Sequence, residues 1–230
     1  MASDSTLTTV IQPPPGPNIK LTLPSDLNNI YNPPIFNDAM KVRMRVFVDE
    51  QHCSAAAEID DDDARSWQWI IYASPHAASA PTPVGVIRLV PPPQPPHERL
   101  THQNDPAIKY LPQYDWTHEP CIKLTRVAVM PEYRGFGLGR RLVEMALKWA
   151  GQHAAEIDEA AVQLKEISSW DGTPVRWQGL VLVHAQADAE KMYKALGFET
   201  DESLGRWDEE GIEHVGMFRR VEVAGLSTRT

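Results

Sequence analysis

A strand, a glycine-studded turn and an amphipathic helix follow one another without a break in CIKLTRVAVMPEYRGFGLGRRLVEMALKWA, residues 121–150. No other stretch limits the fold as strongly. CIKLTRVAV is rich in β-branched residues and predicts a strand. From about Gly137, Leu138, Leu142, Met145, Ala146 and Trp149 recur at helical spacing, with Arg141, Glu144 and Lys148 opposite, so one helix face packs on a sheet. Between them Gly135, Gly137 and Gly139 let the amides of 135–140 converge on one point at the positive end of the helix. That is a cradle for a phosphate, to which Arg134 and Arg140 add formal charge. The competing reading is a tight turn whose glycines only let helix approach strand. No Gly-Lys-Ser/Thr follows, which rules out a Walker loop, and the spacing and position in the chain fit a dinucleotide fingerprint poorly.

Elsewhere the pattern is simpler. Residues 1–17 are polar, end in PPPGP and predict an irregular arm. NIKLTL, 18–23, alternates as a short strand, and NDAMKVRMRVFVDEQ predicts a helix with Asn37 or Asp38 as N-cap. SWQWIIYA and VGVIRLV predict an antiparallel pair, in which Trp67 and Trp69 serve packing. Residues 91–120 lack periodicity and are long for a loop, which suits a lid or a dimer contact. A second helix, AAEIDEAAVQLKEI, and a loop make up an insertion over 152–178. GLVLVHA then predicts a buried strand, DAEKMYKAL a helix stopped at Gly197, and EHVGMFRRV a last strand before a tail from 222 to 230. Strands alternate with helices only in the second half, so the sheet is mixed.

The formal net charge of -9 disfavours sequence-independent nucleic-acid binding and favours cationic or neutral partners. Cys53 and Cys121 stand in no ligand spacing, so neither a disulfide framework nor a metal is expected. No basic residue precedes Lys20, and no run nears the ~18 apolar residues of a membrane span, so a cytoplasmic location is expected, with the nucleus as alternative.

RVAVMPEYRGFGLGRRLVEMALKWA resembles the cofactor segment of the GNAT superfamily of acetyl-CoA-dependent N-acyltransferases, whose pattern Arg/Gln-x-x-Gly-x-Gly/Ala is met by residues 134–139. HAQADAEKMYKALGF is similar to the family's next strand and helix, ending in Tyr-x-x-x-Gly-Phe at Tyr193, Gly197 and Phe198. The two segments are in the family's order and lie about sixty residues apart. VFVDEQ at 46–51, EID at 58–60 and GIEHVGM at 211–217 also resemble a GNAT subgroup. The resemblance covers roughly residues 18–221 and implies one α/β domain of α+β type, with a mixed, mostly antiparallel sheet of six to seven strands flanked by helices.

It further implies acetyl-CoA as co-substrate, with its diphosphate on Arg134, Gly135, Phe136, Gly137, Leu138, Gly139 and Arg140. Its pantetheine arm would lie along Val127, Ala128 and Val129. Gln186 stands where the family often has asparagine, and Tyr193 matches the usual proton donor to the departing thiolate. An alkylammonium costs about 4.6 kcal/mol to deprotonate at pH 7, so a base is needed too. Glu58, Asp60, His184 and His214 are candidates. EIDDDDARSW, including Asp63, is a solvated acidic loop or an electrostatic funnel for a cationic amine, and Glu50 and Gln51 border the acceptor pocket. The expected reaction is direct acetyl transfer to a small cationic amine, such as a polyamine, amino sugar or amino acid derivative, by a monomer or homodimer. Protein or peptide acetylation, a non-catalytic CoA-binding module and a nucleotide-dependent oxidoreductase are the alternatives.

Overall fold

The computed structural model describes residues 6–26, 31–74, 80–101, 105–168 and 170–225. Among the described residues, eight strands form one mixed, mostly antiparallel sheet flanked by helices. The chain divides into two compact units, 1–90 with 125–146 and 91–124 with 147–230, so that the strand over 122–129 and the helix over 138–152 each contribute to both.

In the first unit β1 (Thr6–Gln12) pairs antiparallel with β2 (Trp67–Ser74), and β2 with β3 (Thr82–Val90). β3 neighbours β4 (Ile122–Val129). β1 corrects the expected irregular arm from Thr6 onward; residues 1–5 lie outside the described residues. An edge strand needs a partner on one side only, so β-branched Thr8, Thr9, Val10 and Ile11 suffice without an apolar run. NIKLTL, in contrast, is not a strand. The Asn32 side chain takes both backbone groups of Thr22, accepting from its N–H at 3.0 Å and donating to its carbonyl at 2.7 Å, and so replaces a strand partner.

Helix α1 (Pro34–Arg43) runs into a π-helical segment, Met44–Glu50. It starts at Pro34 rather than behind Asn37 or Asp38, because proline at the first helical position already has the required φ and lacks an N–H that would go unpaired. Ala39, Val42 and Val46 from this run join Ile70, Tyr72, Val86 and Ala128 in a buried cluster. α3 (Leu138–Gln152) keeps most of the expected face: Leu138, Leu142 and Ala146 are buried, Met145 and Trp149 half-buried, and Arg141, Glu144 and Lys148 exposed, while Val143, Leu147 and Ala150 are buried as well.

In the second unit the first residues of β4 pair parallel with β5 (Leu180–Gln186), from Ile122↔Val181 to Leu124↔Val183. β8 (Ile212–Arg220) lies antiparallel to β5 and carries β6 (Glu199–Thr200) and β7 (Arg206–Glu209). α4 (Ala154–Ile167) and α5 (Glu190–Ala195) complete the unit. The long stretch after β3 is mostly irregular apart from a helical turn, α2 (Glu98–Thr101), and a 3-10 turn, Pro106–Tyr110; residues 102–104 lie outside the described residues. It is anchored at its base, where Gln94 Nε2 donates to the carbonyls of Pro91 and Cys121, both at 3.0 Å. No helix among the described residues is long and apolar enough to cross a membrane.

Candidate active site

β4 ends in a 3-10 turn, Pro131–Tyr133, that leads into the glycines. Gly135 (φ +81°) and Gly137 (φ +73°) are left-handed, and a Cβ on either would meet nothing within 4 Å. The first amide to donate into α3 is that of Arg141, to the Gly137 carbonyl at 3.0 Å. Among the described residues the six amides of 135–140 donate to no backbone or side-chain acceptor. Free donors at the start of a 15-residue helix, with open space in front of Gly135 and Gly137, are an arrangement that can take an anion. Leu138 is buried and anchors the turn, whereas Phe136 is 61% exposed.

The flanking arginines do not face the cradle freely. Arg134 makes a two-pronged pair with Glu50, at 2.6 and 2.7 Å, and donates through Nε to the Val129 carbonyl at 3.0 Å. The hydrogen bonds between the two side chains hold the Glu50 carboxyl below, and the Arg134 guanidinium above, their ordinary ranges. Arg140 pairs with Glu144 one turn along α3, at 2.8 Å. Gln51 caps the π-helical segment, its N–H donating to the Val46 carbonyl at 3.1 Å.

The acidic run folds inward. Asp63 is fully buried, with Oδ1 2.6 Å from Arg43 Nη1 and 3.0 Å from Arg88 Nη1. Asp60 takes a two-pronged pair from Arg88 at 2.6 and 2.8 Å, and Arg88 Nε donates to Thr125 Oγ1 at 2.9 Å. Glu58, also buried, lies 3.1 Å through Oε1 from Arg126 Nε and 3.5 Å through Oε2 from Arg43 Nε. Burial by itself raises the Asp60 and Asp63 carboxyls, but Arg88, with Arg126 and Arg43, outweighs it and holds both below the usual range. Glu58, Asp60 and Asp63 are thus matched internally rather than solvated, while Asp61 stays exposed. Three carboxylates are matched by three guanidiniums, because burying either set alone is prohibitive. Asp60 and Asp63, held so, are poor proton acceptors near neutral pH.

Val127 and Val129 are half-buried in β4 and Ala128 is buried. One residue earlier, Arg126 is left-handed (φ +53°), which costs a residue with a Cβ roughly 1–2 kcal/mol.

The second unit holds the remaining candidates. Tyr193 on α5 is buried, its ring edge-on to Phe198 at 5.4 Å, and burial raises its hydroxyl pKa above the ordinary value. It thus keeps its proton until one is taken by a strong base. Gln186 ends β5 and sits opposite His214 in the β5–β8 register. His214 Nδ1 lies 2.9 Å from the Ile212 carbonyl. A carbonyl only accepts, so Nδ1 is a donor, and in the neutral ring Nε2 is the acceptor. Its ring stacks on Trp207. His184 is pushed down to about 3 by burial and by the charge of Lys123, with Glu209 Oε1 3.6 Å from its Nδ1.

Trp207, Glu209 and His97 were missed by sequence reasoning. Trp207 donates to Glu209 Oε1 at 2.6 Å and packs edge-on against His97 and His184, at 4.7 and 4.9 Å. Glu210 and Gly211, both left-handed, close the β7–β8 hairpin, and RWDE-EG-IEHV is the signal that could have revealed it.

Comparison with known proteins bears on the family and the fold. The profile of the Acetyltransferase (GNAT) family matches residues 36–170. The uncharacterized protein YyaT of Bacillus subtilis is 24% identical over 185 residues, 80% of this chain and 88% of that protein. Among solved structures, an acyl-CoA N-acyltransferase from Pseudomonas aeruginosa is 23% identical with a TM-score of 0.51, over 93% of this chain and 99% of that one. Escherichia coli ElaA is 18% identical with a TM-score of 0.52, over 94% and 100%. Arabidopsis thaliana NAA60, solved with a bisubstrate analogue, is 11% identical with a TM-score of 0.51, over 93% and 98%. These likenesses concern the fold.

Proposed function

Since the chain belongs to the acetyltransferase (GNAT) family, we propose that it moves the acetyl group of acetyl-CoA onto the primary amine of a small cationic acceptor by direct attack in a ternary complex. The observation that carries this reading is the row of six undonated amides at 135–140, a donor set suited to a diphosphate. Bound acetyl-CoA supplies an activated acyl carbon and a thiolate leaving group. Val127, Ala128 and Val129 orient its pantetheine arm, and Arg134 leaves Glu50 to add charge at the diphosphate.

His214 is the favoured base. Its Nδ1 donates to a carbonyl, which in the neutral ring makes Nε2 the acceptor, whereas Glu58 and Asp60 are paired with arginines and His184, at about 3, cannot hold a proton near pH 7. Tyr193, kept protonated by burial, gives its proton to the departing sulfur. A cationic acceptor is supported by the net charge of -9 alone, now that Glu58, Asp60 and Asp63 are matched internally.

Calorimetry with CoA, followed by thiol release from acetyl-CoA across an amine panel, tests the proposal. Tyr193→Phe and His214→Asn are each expected to keep CoA affinity and to lose about 100-fold or more in turnover. No CoA binding by the wild type would sink the reading. Binding without turnover on any amine would point to a non-catalytic module, and turnover only on peptides to a protein acetyltransferase.

A further inference from the structure

Parallel pairing of β4 with β5 stops at Leu124, and two residues on, Arg126 occupies the left-handed region in the middle of a strand. A bulky, Cβ-bearing residue adopts that conformation inside a strand only when its surroundings impose it. Here they do. Arg126 Nε lies 3.1 Å from Glu58 Oε1, and its Nη2 lies 3.3 Å from Asp60 Oδ2 and from the Ala57 carbonyl. Glu58 is buried and Asp60 is locked by Arg88, so the partners of this guanidinium cannot follow it if the backbone shifts. The residues directly after the turn, Val127 to Val129, are those assigned above to the pantetheine arm, and a turn in φ at 126 re-aims the N–H and carbonyl groups that follow.

We infer that Glu58 and Arg126 are positioning residues: their ion pair holds the left-handed turn in β4 that presents the backbone of 127–129 to the acyl-pantetheine arm of the cofactor. The inference rests on the acetyltransferase reading, and it gives the acidic run a task other than proton transfer. Neither residue touches the reacting atoms; both act through the backbone.

Glycine adopts a positive φ without a partner to enforce it, whereas alanine does not. In Arg126→Ala the Kd for acetyl-CoA should therefore rise about 10-fold, while Arg126→Gly stays within about 3-fold of wild type, although both lose the same ion pair. Glu58→Gln should weaken acetyl-CoA binding in the Arg126 background and add nothing in the Arg126→Gly background. The pantetheine-free fragment, 3′-phosphoadenosine 5′-diphosphate, should bind all of these proteins equally, which general loss of structure would not allow. Equal damage in the alanine and glycine variants, damage in neither, or parallel loss of the fragment would overturn the inference. Failure of the wild type to bind either compound would instead overturn the acetyltransferase reading. If a variant at 126 proves too unstable to assay, Glu58→Gln with the two ligands still decides: loss confined to acetyl-CoA supports the inference, and unchanged binding of both refutes it.

Discussion

Gly137→Ala separates an amide cradle from a turn that merely lets helix meet strand. The added Cβ would meet nothing within 4 Å, so the substitution introduces no clash within the protein. What remains is the left-handed backbone at φ +73°, roughly 1–2 kcal/mol for a residue with a Cβ. An open turn relaxes by leaving that region, which swings the neighbouring amides out of convergence. Ligand binding must then restore the strained conformer, and at about 1.4 kcal/mol per factor of ten the Kd for CoA rises roughly 5- to 30-fold. Thermal stability changes little, because the strain is relieved in the free protein. Gly211→Ala is the control: φ is +86° and the space around it is equally open, but the β7–β8 pairing locks the hairpin. There the same strain appears as a Tm lowered by a few degrees, with CoA affinity unchanged. Calorimetry and thermal melts on the two variants read both quantities. Wild-type CoA affinity in Gly137→Ala would refute the cradle.

The buried charge cluster predicts that Asp63→Asn costs about 3–5 kcal/mol in urea unfolding, because it leaves Arg43 and Arg88 short of a fully buried counter-charge; a loss under about 1 kcal/mol would contradict that account. Glu50→Gln removes the carboxylate that competes for Arg134 and should tighten CoA binding a few-fold, as read by calorimetry at low salt. His184 has a folded-state pKa of about 3 against an ordinary 6.5, so between these values the unfolded chain takes up a proton that the folded chain refuses. Its contribution to stability is complete above pH 6.5 and is lost as the pH falls toward 3, on the order of 5 kcal/mol in all. Glu209, held at about 2 because His184 and the Trp207 N–H outweigh its burial, acts in the same direction below pH 4.5. Denaturant unfolding from pH 7 to 4 should accordingly be less pH-dependent in His184→Gln than in wild type.

The strand, glycine turn and helix over 121–150 could be read from the chain alone because their signals are local. β-branching, glycines at fixed offsets and a helical apolar period depend on near neighbours, and α3 keeps most of the expected buried and exposed faces. β2, β3, β5 and β8 were legible for the same reason. Elements whose partners are remote in sequence were not. β1 is polar and exists because β2 offers it backbone groups, and NIKLTL alternates like a strand but loses that identity to one asparagine side chain. The same division holds at the candidate site. Sequence placed the amides of 135–140, whereas only tertiary structure decided the fate of the charges. Arg134 lies 84 residues from the Glu50 that holds it, and Asp60 and Asp63 meet Arg88 across 28 and 25 positions. Charge on a side chain is written in its residue type; whether water or an opposite charge solvates it depends on what the fold brings within about 3 Å.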